Sequence, residues 1–541
     1  MQHLAILEKI QIQVDPVYES FRKLRRSLIS WFESGPRQPK ECLQNDILLP
    51  TFCLIAKKSS DSDHWQPHWS PDNPIFDRSS VIANPTPVFT MPTSVTATTA
   101  PLPAREQLAT LVDDILAEAR AQGATAAEAA VSFGSALSVT VRLGEVETLE
   151  HHRQRGLGVT VYIGQSRGSA STADWRPEAI RDTVHSACAI ARHTAADPHA
   201  GLADPERLAR NIPDLDLYHP WSLSAEEAIV LARECEAAAL ACDPRIRNSE
   251  GGSVAAHAGL VAYGNSHGFC GGYPTTRHSM SCSVIAQDDS GMQRNHWYTV
   301  GRDHHDLETP VAVGQKAAQR ALRRLGSRRL GTRQVPVLFA PELARGLIGH
   351  FTAAIRGGAL YRKASFLLNR LGTAVFPESV TIRERPHLPK ALASAPFDGE
   401  GVTTTDRDLV ASGVLQGYVL DSYSARRLGM ETTGNAGGLH NLIVEPGALD
   451  HTGLLQQLGT GLWVTELLGH GINPVTGDYS RGAAGFWVEN GEPQYPVHEI
   501  TIAGNLDQMF KSIVAVGNDV DVRGGIRCGS LLLEQMTVAG E

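Results

Sequence analysis

The chain has 541 residues, more than the roughly 250–300 at which one hydrophobic core stops growing, so a single small domain is excluded and at least two domains are expected. Its 42% apolar and 20% charged residues are a globular composition, which excludes wholesale disorder. Lys and Arg number 49 against 58 Asp and Glu, a net charge of −9, so no global field draws the chain to nucleic acid or an anionic bilayer.

The first 95 residues read as a poorly ordered extension. Residues 36–103 hold 11 of the 30 prolines, a density that no regular domain accommodates. Upstream, Val17, Phe21, Leu24, Leu28 and Phe32 fit one face of a short helix with Arg22, Lys23, Arg25 and Arg26 elsewhere on it. A start codon upstream of the native one would account for this segment, since Met91 precedes the first well-patterned sequence.

Order is expected from Leu108, Leu111, Val112, Ile115 and Leu116, whose i, i+3, i+4, i+7, i+8 spacing predicts an amphipathic helix closed by Gly123. Leu137, Val139, Val141 and Leu143 alternate, as do Val159, Val161 and Ile163, which predicts a hairpin sheet. Pro177 opens a helix with Ile180, Val184 and Cys188 on one face, and Ser224 with Glu227 forms the capping box of another. Val335–Phe339 reads as a short buried strand, followed by a helix from about Pro341 to Ile355. Beyond it the sequence is glycine-rich and strand-like, with turn signals such as Asp398–Gly399 and Asn490–Gly491. A boundary near 330 therefore divides residues 96–330, helices with hairpins, from 331–541, a largely antiparallel β domain. The fold class is α+β.

Eight cysteines stand at 42, 53, 188, 235, 242, 270, 282 and 528 with no C-x-x-C pair, neither a disulfide framework nor a zinc ribbon. No run of eighteen apolar residues occurs, and Glu8 and Asp15 stand where a secretory signal would be basic and then apolar. A cytoplasmic protein with free thiols is expected.

G-x-S-x-G occurs twice, at Gly164–Gly168 and Gly264–Gly268, each time between strand-like stretches, so hairpin turns are expected and not serine nucleophile elbows. No Gly-Lys dipeptide exists, hence no Walker A loop. His498-Glu499 is the one His-Glu dipeptide, and Ile502 and Ala503 follow where a zinc-protease helix would carry its second histidine. The doublets His151-His152 and His304-His305 are expected to project their neighbours apart, which argues against metal binding. Arg320, Arg323, Arg324, Arg328, Arg329 and Arg333 lack interleaved aromatics and read as a solvated helix end.

The strongest signal is Asn473-Pro474-Val475-Thr476-Gly477-Asp478-Tyr479-Ser480-Arg481-Gly482-Ala483 leading into Gly485–Gly491, then Gly517-Asn518-Asp519 before Arg527-Cys528-Gly529-Ser530. Together with Tyr361–Leu368, Asp398-Gly399-Glu400-Gly401 and Gly434-Asn435-Ala436, this resembles the TldD/PmbA family (peptidase U62, "modulator of DNA gyrase"), in its PmbA/TldE branch, from about residue 105 to the end. The resemblance implies a subunit of a cytoplasmic TldD–TldE metallopeptidase that acts on unfolded peptides, in peptide-antibiotic maturation and antitoxin degradation. It also implies a TldD-type partner carrying zinc on an H-E-x-x-x-H helix with a later cysteine. Laid on that motif, this chain has Gly349 and His350 where the first His and the Glu stand, Ala354 at the second His, and Cys528 at the third ligand. The expectation is therefore no catalytic residue, metal or cofactor in this chain. Asn473, Thr476, Gly477, Asp478 and Ser480 are candidates for peptide or partner contact. Two rival readings are a self-contained metallopeptidase with an unorthodox site and a gyrase- or DNA-associated module using the arginine cluster. No membrane and no nucleic-acid partner is expected.

Overall fold

The computed structural model describes residues 102–540; the expected N-terminal extension and its basic helix lie outside the described residues. The architecture is α+β.

The N-terminal part runs α1 (Arg105–Ala121), β1 (Ala126–Arg142), β2 (Glu145–Ile163), β3 (Ser166–Thr172), α2 (Pro177–His193), α3 (Ala225–Leu240), β4 (Ile246–Asn265), β5 (Cys270–Asp288), β6 (Gly291–Gly301) and α4 (Pro310–Leu322). The strands form one antiparallel sheet in the order β3-β2-β1-β4-β5-β6. The alternation along β1 explains its layering. Ala127, Ala129 and Val131 are buried with Leu108, Val112 and Ile115 of α1 and Val184 and Cys188 of α2, while Leu137, Val139 and Val141 are buried with Ala232 and Cys235 of α3 and Val313 and Ala317 of α4. Side chains two apart share a sheet face, so all four helices cover the same face. Each fully buried Leu, Val or Ile contributes about 1.5–3 kcal/mol.

Local signals match their elements. Gly123, at φ +89°, follows α1, with the Ala124 N–H returning to the Ala119 carbonyl. At α3 both halves of the capping box form: Glu227 N–H donates to Ser224 Oγ (3.1 Å), and Ser224 N–H to Glu227 Oε2 (2.9 Å). Both G-x-S-x-G segments lie in hairpin turns, β2–β3 and β4–β5. The second glycine of the first copy, Gly168, has a packing reason, since a Cβ there would stand 2.1 Å from the Ala187 carbonyl oxygen of α2.

The C-terminal part comprises β7 (Arg333–Phe339), α5 (Pro341–Ala354), α6 (Gly357–Tyr361), β8 (Ile382–Glu384), β9 (Arg407–Ala411), β10 (Val414–Leu415), α7 (Ser422–Leu428), β11 (Leu442–Val444), α8 (His451–Leu458), β12 (Gly461–Leu468), β13 (Asp478–Glu489), β14 (Glu492–Asn505), α9 (Leu506–Lys511), β15 (Ile513–Val516), β16 (Ile526–Arg527) and β17 (Leu531–Ala539). One sheet has the order β14-β13-β12-β7-β17-β15, and β14 pairs back on β17 to close five of its strands into a ring. A smaller sheet runs β10-β9-β8-β11-β16. Pairing is antiparallel except at β7–β12 and β11–β16. The main core of this part lies between the sheets and around α5.

Four of the six arginines of the run, Arg323, Arg328, Arg329 and Arg333, are exposed as expected, but each member of the run has a partner. Arg320 stacks on Trp297 and bonds Glu342 at 2.6 Å; Arg323 lies over Trp463 and Phe486; Arg324 pairs with Glu466; Arg328 lies over Tyr495; Arg329 pairs with Glu499; Arg333 lies over Trp487. The aromatic partners missing from the run itself arrive from β6 and from β12–β14. Arg324 is only 12% exposed while Arg329 is 58% exposed. Arg324→Ala should therefore cost a few kcal/mol, because Glu466 is left partly buried without its cation, and Arg329→Ala less than about 1 kcal/mol. Urea melts of the two variants check this: Arg324→Ala should show the larger loss of midpoint.

Candidate functional site

The helix that matters is α5. Its buried face is Ala344, Leu347, Ile348, Phe351 and Ala354, a spacing of three and four that follows from the helical repeat. Ser365, in the Tyr361–Leu368 stretch, closes the helix by donating its hydroxyl to the Ala354 carbonyl at 2.6 Å while accepting from Leu367 N–H. On this helix Gly349 has no side chain, and a Cβ placed there would meet only Ile526, at 4.0 Å. Ala354 is packed in the core. His350 is half-buried, its ring edge-on to Tyr479 of β13 with centroids 6.1 Å apart. It thus packs against a strand of its own C-terminal part.

Cys528 comes close behind. Ile526, two residues earlier, is the side chain nearest Gly349, so the Cys528 segment runs beside α5. The thiol is fully buried and its Sγ contacts the Gly529 carbonyl at 3.1 Å. Burial, with Asp519 and Asp521 nearby, pushes its pKa well up, so it stays protonated. Zinc needs three protein ligands of the right softness. Gly349 and Ala354 have no donor atom and the single thiol of Cys528 cannot complete a set of three ligands, so the residues present do not fit the metal at this place.

The turn carrying Asn473, Thr476, Gly477 and Asp478 is bonded within itself and to its neighbours. Asn473 Oδ1 accepts Val475 N–H at 3.0 Å, Thr476 Oγ1 donates to Asp478 Oδ2 at 2.6 Å, and Asn505 Nδ2 reaches the Thr476 carbonyl at 2.9 Å. Gly477 adopts φ +82°, where an L side chain is strained, and a Cβ there would press on Phe366 and Asn505 at 3.3 Å. Ser480 stays exposed at the start of β13, its N–H on the Gly471 carbonyl. Tyr479, which sequence reasoning did not single out, is the residue of this stretch that enters the core.

The other two glycine-rich motifs meet at a cleft of about 750 Å³ between the helix-free face of the N-terminal sheet and loops 392–399 and 436–440. Gly156, Gly158, Gly399, Gly437 and Gly438 line it, with Tyr263 and Tyr273. Asp398 holds its wall by accepting N–H groups of Glu400, Val402 and Ala436, all at 2.9 Å. Asn435 is fixed by Glu384 (2.8 Å) and Arg407 (2.6 Å). Glu400 lines the adjoining cavity; burial, with Asp398 and Asp421 nearby, raises its pKa to about 7 against the Ser422 N–H. The Ser422 side chain also lies against Glu400, so the carboxyl that can hold or release a proton has a hydroxyl as its neighbour.

Sequence reasoning also misplaced His304-His305. A 3-10 turn (His304–Asp306) capped by Asp303 brings the two rings to 4.0 Å between centroids, and ligand atoms of Asp303, His304 and His305 lie within 4.8 Å of one another. The flanking Asp303 and Asp306 were the available signal.

Residues 127–191, 218–325 and 332–540 match, in order, domain 1, the central domain and the C-terminal domain of the PmbA/TldA metallopeptidases. Metalloprotease PmbA of Escherichia coli O157:H7 is 53% identical over 79% of this chain and 94% of its own. The PmbA homolog of Haemophilus influenzae is 48% identical over 82% and 98%. A Bacteroides thetaiotaomicron crystal structure described as a putative modulator of DNA gyrase superposes with a TM-score of 0.76 at 30% identity, covering 80% of this chain and 98% of that one. TldE from Thermococcus kodakarensis shares the fold, with a TM-score of 0.70 at 20% identity over 80% of this chain and 100% of that one.

Two outcomes are expected. In the native protein a thiol alkylator should label the exposed Cys242 and Cys270 and spare Cys528, which should react only in denaturant; peptide mass mapping checks this. Burial and the neighbouring Arg481 hold the His350 imidazole below the ordinary histidine value, and burial does the same to His257, His278, His296 and His451. Their stabilisation is complete above the unfolded value of about 6.5 and is lost as pH falls through it toward the folded values, because the unfolded state then binds more protons. Melting temperature should therefore drop between pH 7.5 and 5.5, and drop less in His350→Gln.

Proposed function

Because the chain belongs to the PmbA/TldD metallopeptidase family, we propose that it is the TldE-like subunit of a cytoplasmic two-chain peptidase whose catalytic zinc is carried by a TldD-type partner. The observation that carries this reading is α5: Gly349 and Ala354 supply no ligand, and the buried thiol of Cys528 alone cannot hold catalytic zinc. The work left to this chain is to assemble with the partner and to guide unfolded peptide, as in peptide-antibiotic maturation or antitoxin turnover.

Two features support peptide guidance. The outer edge of β2 from Glu145 to Arg155 is exposed and pairs with β1 alone, since β3 begins its pairing at Leu157. An unpaired edge accepts an extended chain through main-chain hydrogen bonds with little demand on its sequence. The glycine-lined cleft offers the same kind of contact. A DNA-binding reading has little left to rest on, because the six arginines of its cluster are engaged with aromatic rings or carboxylates. Among the described residues no helix is long and apolar enough to cross a membrane.

The test is to co-purify the chain with a TldD-type protein and assay turnover of an unfolded peptide by each chain and by the pair. Activity should require the partner. His350→Gln should leave the pair within a few-fold of wild type, whereas loss of a general base costs on the order of 10²–10⁴. A hundredfold fall with assembly intact, or zinc in this chain alone that is lost on Cys528→Ala, would place the chemistry here and sink the reading.

A further inference from the structure

We propose that Asp303, His304 and His305 form a second kind of site in this chain, one that binds a borderline divalent metal ion such as zinc, away from α5. The turn is built for convergence. Asp303 caps it through Oδ1, which accepts the His305 N–H at 3.0 Å and faces His305 Nδ1 at 2.9 Å and His304 Nδ1 at 3.7 Å. Two ligands each about 2.0–2.1 Å from a tetrahedral zinc stand about 3.3 Å apart, so the two observed separations bracket the required edge. The third edge, between the two imidazoles, lies within 4.8 Å, so the rings must close on the ion as it binds.

The groups are also held in place. His304 stacks on Trp221 with ring planes 7° apart and centroids at 5.0 Å. Its Nδ1 is buried and has no hydrogen-bond partner, an arrangement that costs free energy unless something fills it. Asp303 Oδ2 is turned the other way, onto Lys390 Nζ at 3.0 Å and His219 Nδ1 at 3.4 Å. Outer partners of this sort orient a ligating carboxylate, although the lysine charge weakens the pull on a dication. Two imidazoles and one carboxylate select zinc, nickel, cobalt or copper over magnesium and calcium. Three protein ligands leave at least one position for water or a partner's side chain. Nothing in this set overlaps the α5 positions, so the site is independent of the missing zinc ligands there.

The experiment uses the full chain, stripped with a chelator and dialysed, then titrated with Zn²⁺ by calorimetry and with Co²⁺ by visible absorption. One ion per chain is expected, with cobalt bands of a low-coordinate nitrogen–oxygen site and no displacement by millimolar-order Mg²⁺. His305 is 77% exposed, so His305→Ala should fold normally and weaken binding about tenfold or more. His304→Gln should do the same, and Cys528→Ala should change nothing. Absence of saturable binding, or affinity unchanged in both histidine variants, overturns the proposal. Zinc that depends on Cys528 instead would overturn the assignment of the α5 region, a separate outcome.

Discussion

Arginine side chains carry the joint between the two parts of the described chain. Arg320 of α4 reaches Glu342 of α5, Arg323, Arg324, Arg328 and Arg329 after it reach rings and carboxylates of β12–β14, and Arg302, at the end of β6, is buried with its guanidinium on the carbonyls of Ala391, Leu392 and Thr276 at 3.0, 2.9 and 3.1 Å. Arg426 does the reverse, reaching back from α7 to the Gly201 and Leu202 carbonyls. A planar fork can meet several carbonyls at once, as at Arg302 and Arg426, which a lysine ammonium does not match in geometry. This joint fixes the open face of the N-terminal sheet opposite loops 392–399 and 436–440, and the cleft exists because of it.

What the sequence made legible was local. The α1 stripe, the Ser224–Glu227 capping box, the Asn490–Gly491 hairpin between β13 and β14 and the strand at Val335–Phe339 all follow from neighbours within a few residues. The arginine partners were hidden because Trp463, Phe486, Trp487 and Tyr495 lie more than a hundred residues downstream of the run. His304 and His305 were misread for a related reason. Alternation on a strand or rotation on an α-helix separates neighbouring rings, but a tight turn capped by Asp303 brings them together, and turn geometry is set by that capping bond and by Trp221 and Lys390 from elsewhere in the chain. At α5 the family resemblance pointed to Gly349, His350, Ala354 and Cys528, whereas the depth of Cys528 and the packing of Tyr479 needed the structure.

The α5 region shows why a helix can do without ligands and keep its fold. Its stability comes from Leu347, Ile348 and Phe351 in the core and from Ser365 at its C-terminal end. A Cβ at Gly349 would meet Ile526 only at 4.0 Å, so the glycine is not forced by crowding, and Ala354 fills its place in the core as an apolar side chain should. A thiol at Cys528 packs as a small hydrophobe. Each of these positions is thus satisfied by packing alone.

The proposed peptide-guiding role asks for surfaces that contact main chain and ignore side chains. Glycine meets that demand directly, because a wall without Cβ atoms lets another backbone approach to hydrogen-bonding distance. The cleft has such walls at Gly156, Gly158, Gly399, Gly437 and Gly438. Their positions depend on Asp398, whose carboxylate takes three backbone N–H groups and so keeps the 398–402 turn against residue 436. Beside it Glu400, with its pKa raised by burial to about 7, is partly protonated near neutral pH. A peptide amine entering that cavity would meet a carboxyl able to become charged in response. A peptide offering only amides would meet an acid able to stay neutral, and burial would cost it less than a fixed charge. Under the proposed role, a surface that adjusts its own charge to what arrives would accept varied chains more readily than one carrying a fixed charge.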